Sequence, residues 1–442
     1  MMSARKEGTI GSIFATSFKG ELPARFAQLK KDISPSDPSV MHDAWQRLER
    51  AFQEEAPIIK SMGSKIIPQV NFKDIVDGNF PSDMKDEIKK RGCVVIRGVV
   101  SEDVANSYKQ QVLDYIAAHP GEIPGFPDND PQVWELYWSK AQVEARSNPN
   151  FLQATTALNR LWYAEEDSKV DLETNLTYCD RLRIRKPGDE SFKLREHLDG
   201  GSVERWEDDN YRKCFSEILA GEWEKHDSYN VTHRLDAKMQ LYDAPGGCEM
   251  FRTFQGWLSL SNAKSGCGSI RFCPLVKETT SAIIMRPLLQ DLLETPSLGG
   301  AYPGTQIDID PVLLPQITDI CVPVPDIHPG DAVFWHCDLV HAVDLKCEQP
   351  TDSSVFYIPA TPLCNINTSY INKQRETFRL GLTPPDFPGN NAEKNFTDRA
   401  TPSDLSELGR LGMGFERLEP KHKLTKGAQA AIEEHNRTLG LN

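Results

Sequence analysis

One stretch constrains this 442-residue chain more than any other: Phe192-Lys193-Leu194-Arg195-Glu196-His197-Leu198-Asp199-Gly200-Gly201. Side chains alternate across a β-strand, so His197 and Asp199, two residues apart, share one face. An imidazole and a carboxylate on one face can give two ligands to a metal ion. A second histidine from elsewhere would complete a set of two histidines and one carboxylate, which leaves about three coordination positions open. The reading therefore turns on a third ligand.

A second segment offers two. His328-Pro329-Gly330-Asp331 forms a turn that launches the apolar strand 332–335, and His336 and His341 follow on what reads as the same element. His328 lies in the turn and reads as structural. The other histidines (42, 119, 226, 233, 422 and 435) are dispersed in polar, helical-looking settings and read as surface or structural.

The rest of the chain reads as mixed α and β. Residues 1–70 are helical, with Met41, Trp45, Leu48 and Phe52 spaced to make one apolar helical face after the turn and cap residues 34–38. A short helix from residue 81 ends at Gly92, a β-branched strand covers 93–100, and a second helix runs from 101 to about 119. Five prolines within 120–150 mark a long loop with a helical piece at 133–146. The alternation in 176–185 points Arg181, Arg183 and Arg185 to one face and Leu182 and Ile184 to the other. Further strands are expected at 192–199, 249–261, 269–276, 332–335 and 353–358, the last in the chain. A polar helical insertion covers 204–226, a helical and loop insertion covers 280–320 with 288–293 as its clearest helix, and short helices lie at 402–411 and 424–438.

Pro329-Gly330-Asp331, the apolar strand after it and a histidine ten residues beyond the aspartate resemble the distal-histidine strand of the double-stranded β-helix oxygenases. Together with His197-Leu198-Asp199 and the strand near 268–274, the chain is similar to the Fe(II)/2-oxoglutarate-dependent dioxygenases of the phytanoyl-CoA hydroxylase type. The phrases at 195–206, 251–257 and 356–360 resemble, more narrowly, a bacterial and fungal family catalogued as a domain of unknown function. The likeness spans roughly residues 80–390 and implies an α+β fold built on a double-stranded β-helix, a jelly-roll or cupin-like barrel. It further implies an N-terminal helical extension (1–70), an oxygenase domain (71–390) with insertions near 204–240 and 276–325, and a C-terminal helical tail (391–442).

On this resemblance His197, Asp199 and His341 hold Fe(II), with His336 a packed histidine or a group behind the ligands. 2-Oxoglutarate and dioxygen are the implied cosubstrates, and oxidation of a C–H bond, by hydroxylation or oxidative cyclisation, the implied reaction. The sequence departs from the pattern at one point. Such enzymes carry an arginine ten to fifteen residues past the distal histidine, to pair with the far carboxylate of 2-oxoglutarate, but residues 348–362 contain no Arg or Lys. A cationic and preferably bidentate partner is still needed. Arg252 is expected first in that role, then Arg181, Arg183 and Arg271, with Gln255, Trp257 and Tyr357 lining the pocket or filling the barrel core.

A group of arginines suits a small acidic substrate such as an amino acid. Two rival readings are a cupin-type metalloenzyme that does without 2-oxoglutarate and a barrel that only binds. A net charge of −14 argues against a nucleic-acid partner. No apolar run approaches the roughly 18–20 residues of a membrane span. The start lacks a secretory core, and the ten cysteines form no Cys-x-x-Cys pair, so a cytoplasmic protein with reduced thiols is expected. The oligomeric state is left open.

Overall fold

The computed structural model describes residues 20–78, 80–191, 194–389, 393–420 and 423–441. The first nineteen residues of the expected N-terminal extension, Phe192 and Lys193 of the expected strand, and His422 lie outside these.

The strands in chain order are β1 (Gln69–Asn71), β2 (Cys93–Arg97), β3 (Gly125–Phe126), β4 (Val133–Trp134), β5 (Val170–Asn175), β6 (Leu182–Arg185), β7 (His197–Leu198), β8 (Phe254–Ser259), β9 (Ile270–Phe272), β10 (Ile307–Asp308), β11 (Val322–Pro323), β12 (Ala332–His336), β13 (His341–Val343), β14 (Ser353–Tyr357) and β15 (Pro362–Cys364). Eight form one sheet in the order β1-β2-β12-β8-β14-β6-β4-β3, and five form a second in the order β10-β7-β13-β9-β11. β5 and β15 make a separate ribbon. The fold is α+β, and apart from the parallel β1–β2 pair the described strands pair antiparallel.

The larger sheet is buried on both sides because both sides are covered. On β12, β8 and β14 the even-numbered residues point to helices: Phe334 meets Phe151 of the helix Pro149–Asn159 at 5.5 Å between ring centroids, and Phe356 meets Tyr108 of the helix Glu102–Ala118 at 6.4 Å. Gly256 makes room for Phe334, since a Cβ there would lie 2.4 Å from the ring. The odd-numbered residues face the second sheet, where Trp335 meets Phe272 of β9 at 5.7 Å.

Asp331 explains why the Pro-Gly-Asp turn is so well defined. Its carboxylate accepts from the Gly98 N–H (2.9 Å), the His328 N–H (3.0 Å) and Arg97 (2.6 Å), locking the start of β12 to the end of β2. Gly330 has φ of +90°, and a Cβ would come within 2.2 Å of the Val100 carbonyl, so a side chain is excluded there.

The amphipathic stripe reads correctly. Met41, Leu48 and Phe52 are buried on the helix Pro38–Met62, Trp45 is half-buried, and Asp37 caps the helix by accepting from the Ser39 N–H. This helix packs on Val276–Met285 and joins the hydrophobic core of the two sheets. A second core lies between the ribbon and the helices Asn365–Leu380 and Lys426–Thr438.

Several boundaries differ from expectation. Residues 276–285, which span the end of an expected strand and the start of the expected helical and loop insertion, form one helix buried on nearly every side, where burial outweighs the β preference of its Val, Thr and Ile residues. The expected helix at 288–293 is two single turns, Arg286–Leu288 and Gln290–Leu293. The piece at 133–146 splits into β4 and a helix over Lys140–Arg146. β15 follows the strand expected to be the last, and the helix Asn365–Leu380 was not foreseen. No described helix is long and apolar enough to cross a membrane.

Three fully buried histidines are kept neutral by burial, which pushes His336 down to about 3 and His226 and His435 down to about 4. Because their folded pKa values lie below 6.5, their contribution is complete above pH 6.5 and falls away as the pH drops. Burial also pushes Glu135 and Glu393 up to about 7, and these act in the opposite sense from pH 7 down to their ordinary value of 4.5. Two-stage acid loss is the expected result. The urea midpoint should fall shallowly from pH 6.5 to 4.5 and steeply from 4.5 to about 4, where all three histidines act unopposed at roughly 1.4 kcal/mol per pH unit each. A uniform slope across both windows would contradict this account.

Candidate metal centre

His197 and His341 sit opposite one another on the paired strands β7 and β13, with ring centroids 4.2 Å apart. Asp199 follows β7 immediately, and its two carboxylate oxygens lie 3.7 Å from His197 Nε2 and 3.3 Å from His341 Nε2. One ligand atom from each of the three residues falls within 4.8 Å of the others. Two ligands about 2.1 Å from a shared ion at a right angle stand about 3 Å apart, so a small contraction would seat a cation on this set.

Each histidine is oriented in the same way. His197 Nδ1 lies 2.7 Å from the Arg195 carbonyl and His341 Nδ1 lies 3.0 Å from the Leu339 carbonyl, in both cases two residues back along its own chain. A proton held on Nδ1 by a carbonyl leaves the Nε2 lone pair for a metal, which is how ligating histidines are commonly fixed. Burial, followed by the neighbouring His341, lowers the His197 pKa and keeps it neutral. Burial opposes ionisation of Asp199, but His341, His197 and the Arg252 guanidinium outweigh it and hold the carboxyl well below its usual range. Two imidazoles and one carboxylate are the donor chemistry of the facial set.

His336 is not part of this group. It ends β12 on the larger sheet, and the chain crosses through residues 337–340 to reach β13 on the other, so the two histidines do not share one element as the sequence suggested. Its Nδ1 accepts the Asp338 N–H (3.0 Å), so Nε2 carries the proton and donates to the Ser228 carbonyl (2.9 Å). The ring stacks on Trp162 at 4.7 Å and 5°. Both nitrogens are occupied. His336, Cys337 and Asp338 also cluster within 4.8 Å, but the aspartate is committed elsewhere.

Asp338 is the centre of a buried ionic clamp that sequence reading missed. Arg205 donates to one of its oxygens (2.7 Å) and Arg234 to the other, and all three residues are under 5% exposed. Arg205 also donates to the Asp199 carbonyl at 2.9 Å. The clamp thus ties the backbone of one candidate ligand to the crossover that delivers another. Burial would raise the Asp338 carboxyl, yet Arg234 and Arg205 hold it well below its usual range. The signal was available only in part: Arg205 lies in the quoted phrase 195–206 and Asp338 between the two histidines, but nothing in the order of residues pairs them.

The triad opens into a cavity of about 590 Å³ between the sheets. Arg181, Arg183 and Arg252 line it, as do Gln255, Trp257 and Tyr357. Arg271 does not: the alternation on β9 turns it away from its cavity-lining neighbour Ile270, and its guanidinium donates to the Cys321 carbonyl (2.7 Å). Arg252, expected on a strand, stands two residues before β8. Arg181 is anchored to Asp180 (2.9 Å) and lies over the Phe387 ring. Burial lowers the pKa of Arg183, and the nearby Tyr357 hydroxyl opposes this.

Removing the Asp338 carboxylate would leave two buried guanidinium groups without a counter-charge. Asp338→Ala is expected to cost about 3–5 kcal/mol in chemical denaturation, whereas His336→Phe, which removes one neutral packed ring, should cost less. A loss below about 1 kcal/mol for Asp338→Ala would show that the clamp carries little of the fold.

The model of the Gig2-like family matches residues 20–415. The Candida albicans protein of GlcNAc Inducible Gene 2, GIG2 (DUF1479), is 31% identical in its crystal structure, with a TM-score of 0.87 and 96% of each chain covered. A Salmonella typhimurium LT2 protein ascribed to the oxidoreductases is 31% identical with a TM-score of 0.81, covering 89% of this chain and 98% of its own. YbiU of Escherichia coli K12 is 32% identical over 374 residues, 82% of this chain and 88% of that protein. With nearly the whole chain matched, the protein belongs to the Gig2-like family.

Proposed function

We propose that the protein is a non-haem Fe(II)/2-oxoglutarate-dependent oxygenase that oxidises a C–H bond of a small acidic molecule. The observation that carries this reading is the convergence of His197, Asp199 and His341, each oriented for ligation, at one end of a cavity lined by arginines. The strand order supports a double-stranded β-helix. From β6 to β9 and again from β11 to β14 the chain alternates between the two sheets, with β10 an added strand of the smaller one, and β12-β8-β14-β6 in one faces β7-β13-β9-β11 in the other.

Fe(II) with 2-oxoglutarate supplies the activation of dioxygen that an unreactive C–H bond requires. The chain's own work is to hold and orient. His197, Asp199 and His341 would hold the metal. For the far carboxylate of 2-oxoglutarate, register favours Arg183 over Arg252. The position left without a cation falls on β14, ten to fifteen residues past His341, and there Val355 is the direct cross-strand partner of Arg183. Side chains so paired lie about 5 Å apart, so a guanidinium from β6 reaches the same place. Tyr357, on the same inward face of β14, also lines the cavity and adds a hydroxyl near Arg183. Trp257 and Trp335 close the wall around the site and restrict water.

Anaerobic titration with Fe(II) and then 2-oxoglutarate tests this directly through the weak visible charge-transfer band of the chelate. The band should appear in the parent protein and in His336→Phe, vanish in His197→Ala and His341→Ala, and require at least about tenfold more 2-oxoglutarate in Arg183→Gln, the loss of a charge-assisted bidentate contact. Metal binding with no band would replace this reading with a metalloenzyme that does not use 2-oxoglutarate. Absence of metal binding would leave only a binding barrel.

A further inference from the structure

The cavity has a second polar end that the preceding reading leaves unused. Arg252 lines it close to the triad, near enough for its charge to act on Asp199. Among the described residues Arg252 donates no hydrogen bond and forms no contact ion pair, although a guanidinium carries five N–H donors. Its backbone is pinned on both sides. The Phe251 N–H donates to Asn367 Oδ1 (2.7 Å) and the Thr253 N–H to the Ala360 carbonyl (3.0 Å). The backbone is therefore held at this point of the wall, while the cation itself has no protein acceptor among the described residues.

Two further donors stand nearby. Trp335 and Gln255 are direct partners across β12 and β8, each is 5% exposed, and both line the cavity. Neither Trp335 Nε1 nor Gln255 Nε2 has a hydrogen-bond partner. Buried donors are rarely left unmade in a finished site, because the loss of water is then uncompensated. The Trp335 ring lies 5.2 Å from the His341 ring, which places these donors beside the triad. Tyr357 and Arg183 sit further along the sheet, one and two alternations respectively beyond the Trp335–Gln255 pair.

We infer that the two ends divide the labour, so that the substrate is a small oxyanion, a carboxylate or a phosphate ester, whose acid group is bound by Arg252 and whose neighbouring acceptor is held by Trp335 and Gln255. This rests on the preceding reading, because it takes Arg183 and Tyr357 for the cosubstrate. A cavity of about 590 Å³ is within the range of sites that hold small ligands and leaves room for a second molecule. Arg252 then selects substrates by charge, close to the reacting centre, and does not select the cosubstrate.

The test uses the full chain loaded with Mn(II), a redox-silent stand-in for iron, and saturated with 2-oxoglutarate. Acetate and sulfate serve as carboxylate and phosphate-ester probes, titrated by tryptophan fluorescence. Saturable binding of at least one probe is expected, weakened at least about tenfold in Arg252→Gln, partly restored in Arg252→Lys and weakened less in Trp335→Phe. In the same variants the affinity for 2-oxoglutarate should change less than about twofold, against at least about tenfold for Arg183→Gln. Whichever probe binds more tightly names the acid. An unchanged probe affinity in Arg252→Gln would overturn the assignment, as would a loss of 2-oxoglutarate affinity matching that of Arg183→Gln, since the cosubstrate would then occupy this end. Should the parent protein bind no 2-oxoglutarate, the preceding reading fails by itself. The same probe titration on the Mn(II)-loaded protein then decides Arg252 separately.

Discussion

Everything at the candidate centre depends on a carboxylate that never meets the cavity. Asp338, held between Arg205 and Arg234 in the interior, joins two segments that are far apart in the chain: the loop after β7 that carries Asp199, and the crossover from β12 to β13 that delivers His341. Two cations on one anion leave an excess positive charge in a region with little water. Such an arrangement is costly to assemble, and it is tolerated because the groups are hydrogen-bonded as well as paired. The carbonyl of Asp199 takes part of that excess as an acceptor from Arg205. The clamp therefore couples the fold's electrostatics to the placement of its candidate ligands.

The two sheets supply the rest of the geometry. The larger sheet is sandwiched between helices on its even-numbered face and the smaller sheet on its odd-numbered face, so one alternation along β8, β12 and β14 decides which residues enter the core and which enter the cavity. Trp335, Gln255, Trp257 and Tyr357 are all odd-numbered and face inward. His336, one step out of phase, lies against Trp162 and Tyr229 instead. Parity along one strand thus separates a packed histidine from the cavity wall beside the triad.

How much of this could be read in the sequence follows from what is local. His197, Asp199 and the Pro-Gly-Asp turn were legible because strand alternation and turn chemistry act over a few residues, and the amphipathic stripe of the helix Pro38–Met62 for the same reason. The bounds of the helix Val276–Met285 were not legible within the expected helical and loop insertion, because residues buried on almost every side carry no helical periodicity. The crossover between His336 and His341 was hidden since no glycine or proline marks it. Arg271 was misplaced for want of its strand's facing, and the preference for Arg183 over Arg252 needed the β6–β14 register. The Arg205–Asp338–Arg234 clamp spans 133 residues at one contact and 104 at the other, and only the folded chain brings these residues together.

The groups that orient His197 and His341 are main-chain carbonyls two residues back along the chain, just before each strand. In many metal sites that duty falls to a carboxylate or an amide side chain, which a single substitution can remove. Here no substitution deletes the orienting group, short of one that distorts the strand itself. The histidine geometry is to that extent independent of the rest of the lining, so residues elsewhere on the wall are free to diverge among relatives. Substitutions elsewhere in the cavity wall would leave the orientation of both histidines unchanged.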